Sequence, residues 1–255
     1  TRSRATVDRV PTAMMAQYYA QRASAGLIIS EATVISEEAN GYTQTPGLFT
    51  DAQVEGWKLT TDAVHQRGGL IVAQLWHVGR VSHPDLLNGA TPVSASDVKQ
   101  AGYVSLLRPK REYVSPRPLE IAEIHAITEQ YKQAAIKAKA AGFDGVELHA
   151  ANGYLIDQFL QTKTNLRNDE YGGSVENRAR FLLEVVDALI EVWGAGRVGV
   201  HLAPRGDEHD MGDENPKEIF GYVLEELAKR KIAFFFTREY LADDSISQYL
   251  RERGA

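Results

Sequence analysis

The chain has 255 residues, 44% hydrophobic and 24% charged, the profile of a globular protein large enough to bury one substantial core. Its formal net charge of −6 gives no support to a nucleic-acid or anionic-membrane partner, and no apolar run approaches the ~20 residues that span a bilayer. Zero cysteines excludes disulfides, thiolate metal ligands and a cysteine nucleophile, and nothing reads as an export signal; a cytoplasmic enzyme fits this composition.

Taken in order, Pro11 to Ala23 reads as a helix with Pro11 in its first turn, and Leu27 to Ala32 as a buried parallel strand. Residues 33–50 read as loop, broken by Gly41, Pro46 and Gly47 and carrying the aromatic Tyr42. A helix from Asp51 to Gln66 closes at Arg67-Gly68-Gly69, and Leu70 to His77 is the next strand. Alternation puts Val72, Gln74 and Trp76 on one face of it and Ile71, Ala73 and Leu75 on the other. Residues 78–118 carry five prolines and two short β-like runs near Tyr103 and Arg111, and are expected to cap the strand ends with a β-hairpin. A long helix from Leu119 to Ala141 follows.

The next stretch, Gly145-Val-Glu-Leu-His-Ala-Ala-Asn-Gly-Tyr154, organises the rest. It reads as a strand, Gly145 to Ala150, with Val146 and Leu148 facing a helical layer while Glu147 and His149 face an interior. His149, Asn152 and Tyr154 then fall at its downstream end, where α/β proteins place their chemistry. Beyond it, Ser174 caps a helix running to about Trp193, and Val198 to Pro204 is a strand with His201 on the same face as Gly199 and Ala203. The loop Arg205 to Asn215, a helix from Pro216 to Arg230, a strand from Ile232 to Thr237 and the start of a helix near Asp243 complete the chain.

Strands alternate with helices, which predicts a (β/α)₈ TIM barrel of class α/β. Only five strands are read, so residues 1–255 are expected to be one barrel domain lacking the first strand and the last two, with 78–118 as a cap within it.

The motifs Arg22 to Ala32, Gln74-Leu-Trp-His77, His149-Ala-Ala-Asn-Gly-Tyr154 and Tyr171-Gly-Gly-Ser-Val-Glu-Asn-Arg178 resemble, in order and spacing, the Old Yellow Enzyme family of ene-reductases. The likeness is greatest to its bacterial branch of N-ethylmaleimide and nitrate-ester reductases. The resemblance implies non-covalent FMN over the strand ends and NADPH or NADH as hydride donor. It implies reduction of activated C=C bonds, with nitro compounds or nitrate esters as further substrates. Thr1, Ala32, Gln74 and His201 would meet the cofactor; His149 and Asn152 would hold the activating oxygen of the substrate; Tyr154 would donate the proton; Tyr42 and Trp76 would shape the substrate pocket. His201 stands where many members carry arginine, and the regions that grip the FMN phosphate in the family lie after its seventh and eighth strands. Two other readings are a metal-dependent barrel hydrolase built on His77, His149, His201, Asp207, His209 and Asp210, and a catalytically silent fragment unable to hold FMN.

Overall fold

The computed structural model describes residues 3–239 and 245–254, so the expectations for Thr1 and for a helix start near Asp243 lie outside the described residues. Five parallel strands run side by side in the order β1 (Ile28–Ile29), β3 (Ile71–Trp76), β6 (Gly145–Ala150), β7 (Val198–Arg205) and β8 (Phe234–Glu239). A sixth, β2 (Thr33–Val34), pairs with the downstream half of β3, on residues expected to be loop. Two residues are too short for any periodic signal; Thr33 and Val34 are strand because Leu75 and Trp76 offer them a ladder. The sheet is the α/β barrel architecture in part, open at β1 and β8 among the described residues.

Local chemistry sets the helix ends. Helix α1 (Ala13–Ala20) is shorter than expected at both ends. Helix α2 (Asp51–His65) opens with a capping box: the Gln53 backbone N–H donates to Thr50 Oγ1 at 3.2 Å, and the Thr50 N–H donates to Gln53 Oε1 at 3.1 Å. Helix α3 (Ile121–Ala140) stops before Gly142, whose φ of +81° suits glycine. Helix α5 (Val175–Trp193) is capped by Ser174, which accepts from the Asn177 N–H at 3.3 Å, as its sequence signals. Helix α6 (Pro216–Arg230) begins on proline as expected, and α7 (Ser247–Arg253) closes the described chain.

These helices cover one face of the sheet. Val146, Leu148, Val200 and Leu202 face them and are fully buried against residues such as Ile127 and Tyr131 of α3 and Leu182 and Val186 of α5. Each such side chain stabilises the fold by roughly 1.5–3 kcal/mol relative to an exposed one. The opposite face is the lumen, where the polar members of the same strands point.

Helix α4 (Leu155–Leu160) was not expected, because six residues buried all round show no helical period. It anchors the surrounding loops through Gln158, whose Nε2 donates to the carbonyls of Val78 (3.1 Å) and Gly153 (2.7 Å). Its Oε1 accepts from the Arg80 backbone N–H (3.2 Å) and from Ser94 Oγ (2.9 Å). Ser94 belongs to β4 (Val93–Ser94), which pairs in parallel with β5 (Arg117–Pro118) at the base of the 78–118 segment. The hairpin expected there survives as a single antiparallel bridge between Tyr103 and Glu112. The buried Arg80 guanidinium ties this segment to the loop after β7, donating to the carbonyls of Val98 (2.8 Å) and His209 (2.6 Å).

Candidate active site

Parallel register brings lumen-facing residues into layers. Gln74, Glu147, Gly199 and Phe234 are register partners in one layer. One step downstream, His149, His201 and Phe236 are partners in the next, and Trp76 ends β3 beside them. Their rings form a row across the strand ends. Trp76 stacks toward His149 at a centroid distance of 6.2 Å, His149 lies 5.0 Å from His201, and His201 stacks on Phe236 at 4.1 Å.

The flanking loops close around this row. Tyr42 stacks on Trp76 at 5.4 Å, and Tyr154 stands edge-on to both Trp76 (4.9 Å, 84°) and His149 (5.1 Å, 89°). The two phenol hydroxyls meet at 3.0 Å. Tyr154 also faces His209, whose Nδ1 lies 2.7 Å from the Asn152 carbonyl. Asn152 has a φ of +58°, a left-handed conformation that asparagine tolerates better than most residues, and it turns the chain between strand and Tyr154. Its side-chain oxygen accepts from Arg238 Nη1 at 3.2 Å, so the amide nitrogen is the end left to face a ligand. Arg238 is in turn held by Glu208 at 2.6 Å.

Burial dominates the electrostatics. It drives the His149 imidazole well below its ordinary pKa, helped by His201 beside it, and His201 down to about 4, helped by Arg238. Both rings are therefore neutral at physiological pH. Nδ1 of each is buried without a hydrogen-bond partner, as is Nε1 of Trp76. Unpaired buried donors or acceptors cost about 1–3 kcal/mol each, and here three of them sit side by side at the strand ends, offering hydrogen bonds to a ligand. Burial likewise raises Tyr154 to about 12 and Tyr42 higher still, so both phenols keep their protons.

The sequence pattern of the NADH:flavin oxidoreductase / NADH oxidase family matches residues 1–243. The chain belongs to the Old Yellow Enzyme family. Among solved structures, the old yellow enzyme homologue from Zymomonas mobilis superposes with a TM-score of 0.96 at 46% identity, over 99% of this chain and 73% of that one. Morphinone reductase, solved in complex with tetrahydroNAD, gives a TM-score of 0.93 at 49% identity over 99% and 72%. Of curated proteins, the flavin oxidoreductase hxnT of Emericella nidulans is 47% identical over 233 residues, 89% of this chain and 60% of its own length. The 12-oxophytodienoate reductase 7 of Oryza sativa is 47% identical over 232 residues, 89% of this chain and 59% of its own. The chain thus spans about three-fifths of the length of these curated relatives.

Against the Old Yellow Enzyme reading, the structure brings His149, His201, Trp76, Tyr42 and Tyr154 together in one aromatic cluster. Gln74 lies one layer deeper, and Asn152 joins the cluster through the loop and Arg238. Ala32 is buried between β1 and β2, next to Thr33, the register partner of Leu75. The candidates for a metal site do not converge: His77 is buried with Nδ1 accepting from the Gly79 N–H, and Asp210 accepts from the Ala101 N–H. Among the described residues no group of three His, Asp or Glu side chains could hold a metal ion.

Arg238 and Glu208 were not foreseen, and His209, named only for the metal alternative, instead faces Tyr154 and the Asn152 carbonyl. Arg238 shares strand parity with Phe234 and Phe236, so extending the last strand past Thr237 would have placed it over the lumen. The other two sit on a short 3₁₀ turn, Glu208–Asp210, whose left-handed His209 and Asp210 leave no periodic trace in the sequence.

Proposed function

We propose that the protein is an FMN-dependent NAD(P)H oxidoreductase that reduces C=C bonds activated by a carbonyl or nitro group. Nitro compounds and nitrate esters form a second class of acceptor, and the cytoplasm is the setting. The observation that carries this reading is the pair of neutral, buried imidazoles with unpartnered Nδ1 atoms, flanked edge-on by a protonated phenol.

The residues present fit the cofactor. The lumen mouth offers aromatic walls, the amide of Gln74 at hydrogen-bonding depth, and orphaned ring nitrogens, a donor and acceptor set matched to a flat heteroaromatic ring. Ala32, Gln74 and His201 would hold it, together with Thr1. When bound, FMN supplies two-electron chemistry, taking a hydride from a nicotinamide and delivering one to an alkene.

The protein's own residues do the rest. His149 and the Asn152 amide bind the substrate oxygen on which negative charge accumulates, and each such preorganised donor contributes about 3–4 kcal/mol in favourable sites. Arg238 and Glu208 hold Asn152 so that its nitrogen, not its oxygen, meets that charge. Tyr154 then gives its Oη proton to the α-carbon, and the Tyr42 hydroxyl at 3.0 Å donates to the phenolate left behind. Trp76 and Tyr42 form the apolar wall that orients the alkene, and residues 78–118, fastened through Arg80 and Gln158, act as a lid excluding water.

Anaerobic stopped-flow spectroscopy tests this reading. NADPH should bleach the flavin band of the FMN-loaded protein, and 2-cyclohexenone should restore it. A band that bleaches but is restored only by oxygen would leave the protein an oxidase, and the alkene reading would fail.

A further inference from the structure

Glu147 is a buried carboxyl group that the mechanism above does not use. It lies in the middle of β6 on the lumen face, fully shielded from solvent, one layer beneath His149 and His201. Among the described residues no cation accompanies it, and its hydrogen bonds come from one group, Gln74 Nε2, at 3.1 Å to Oε1 and 3.4 Å to Oε2. Gln74 is its register partner on β3, and the backbone N–H of Gln74 is fixed separately by Ser30 Oγ at 2.9 Å. On the other side, the register partner is Gly199, which has no side chain, and the Phe234 ring fills the space a β-carbon would need. Glu147 therefore has one polar neighbour to hold and is walled in to hold it.

We propose that Glu147 is a positioning residue that grips the amide nitrogen of Gln74 and so turns the Gln74 carbonyl oxygen toward the pocket, as acceptor for an N–H on the ligand's pyrimidine edge. A primary amide unpinned in a lumen can present either end; here the nitrogen lies against both carboxyl oxygens, and the carbonyl oxygen of the carboxyl accepts only from that nitrogen. Burial pushes the Glu147 carboxyl up to about 8, against the pull of the Gln74 amide. At neutral pH the group is mostly uncharged and grips through its carbonyl oxygen. A neutral carboxyl leaves no fixed anion on the lumen floor at this position. This inference rests on the flavin reading, since the flavin ring supplies the N–H.

The test compares Glu147→Gln, which keeps an acceptor of the same shape, with Glu147→Leu, which keeps the bulk and loses the acceptor. Quenching of FMN fluorescence reads the cofactor Kd. Glu147→Leu should weaken FMN about tenfold or more, the effect of losing one buried hydrogen bond and freeing the amide, while Glu147→Gln stays within about threefold. Combining Glu147→Leu with Gln74→Leu should weaken binding no further than Gln74→Leu alone, because both act through one group. A second readout needs no flavin and no leucine at 147. The infrared carbonyl band of Glu147, identified by its loss in Glu147→Gln, should move to higher frequency in Gln74→Leu as the hydrogen bond disappears. Additive Kd losses, or a Glu147 band indifferent to Gln74, would overturn the proposal. A wild-type protein that binds no FMN but shows the band shift would keep the Glu147–Gln74 contact and remove its ligand, which overturns the flavin reading instead.

Discussion

Replacing Tyr154 with phenylalanine removes one hydroxyl and preserves the ring that packs edge-on to Trp76 and His149. If that hydroxyl supplies only the α-proton, the change should slow the alkene half-reaction by about 10²–10⁴-fold, the usual worth of a positioned general acid. Flavin reduction by NADPH should stay within about twofold, because hydride arrival at the flavin requires no proton from Tyr154. The Tyr42 hydroxyl contributes less. It lies 3.0 Å from Tyr154 Oη, and a hydrogen bond of that kind is worth roughly 1 kcal/mol, so Tyr42→Phe should slow the same step only about fivefold. The pH profile follows from the sign of the shift. Burial raises Tyr154 to about 12, so the acid form persists below that value and Tyr154 adds no pH dependence between about pH 6 and 10. Stopped-flow measurement of the two half-reactions with 2-cyclohexenone as acceptor reads all three effects. The reasoning fails if Tyr154→Phe slows flavin reduction as much as alkene reduction, or if Tyr42→Phe costs as much as Tyr154→Phe.

Three further changes probe the same cluster. His149→Ala removes the proposed donor to the substrate oxygen and should weaken binding of a phenolate such as p-hydroxybenzaldehyde about 10- to 100-fold by absorbance titration, as expected for a hydrogen bond to a charged group. Arg238→Met removes a positive charge beside His201, so the His201 pKa, held at about 4 by burial and by Arg238, should rise in a proton NMR titration; an unmoved value would place Arg238 outside the site's electrostatics. Gly199→Ala puts a β-carbon into the Phe234 ring within a packed layer, and thermal denaturation should show a loss of about 1–3 kcal/mol.

What the sequence made legible was whatever rests on local chemistry or on alternation. The Thr50 and Ser174 caps, the glycine stops after α2 and α3, and the bounds of β6 are all set by nearest neighbours. The lumen faces of β3 and β6 followed from period two alone, which is why Gln74, Trp76, Glu147 and His149 could be placed together. What escaped it depends on partners far along the chain. Strand β2 exists because β3 is there to pair with it, and α4 because a fully buried site needs Gln158 to satisfy four polar groups at once. Arg238 was missed for a smaller reason, a strand read as ending at Thr237. Its role as the partner of Asn152, 86 positions away, has no signature in the sequence.

In the proposed function, hydride reaches the β-carbon from the reduced cofactor while the α-proton comes from Tyr154 and hence from solvent. Isotope placement measures this directly. Reduction of 2-methylcyclohexenone in D₂O with unlabelled NADPH should put deuterium on the α-carbon alone, and hydride-labelled NADPD in H₂O should put it on the β-carbon alone. Deuterium from solvent at the β-carbon, or α-labelling that proceeds at an undiminished rate in Tyr154→Phe, would contradict the account.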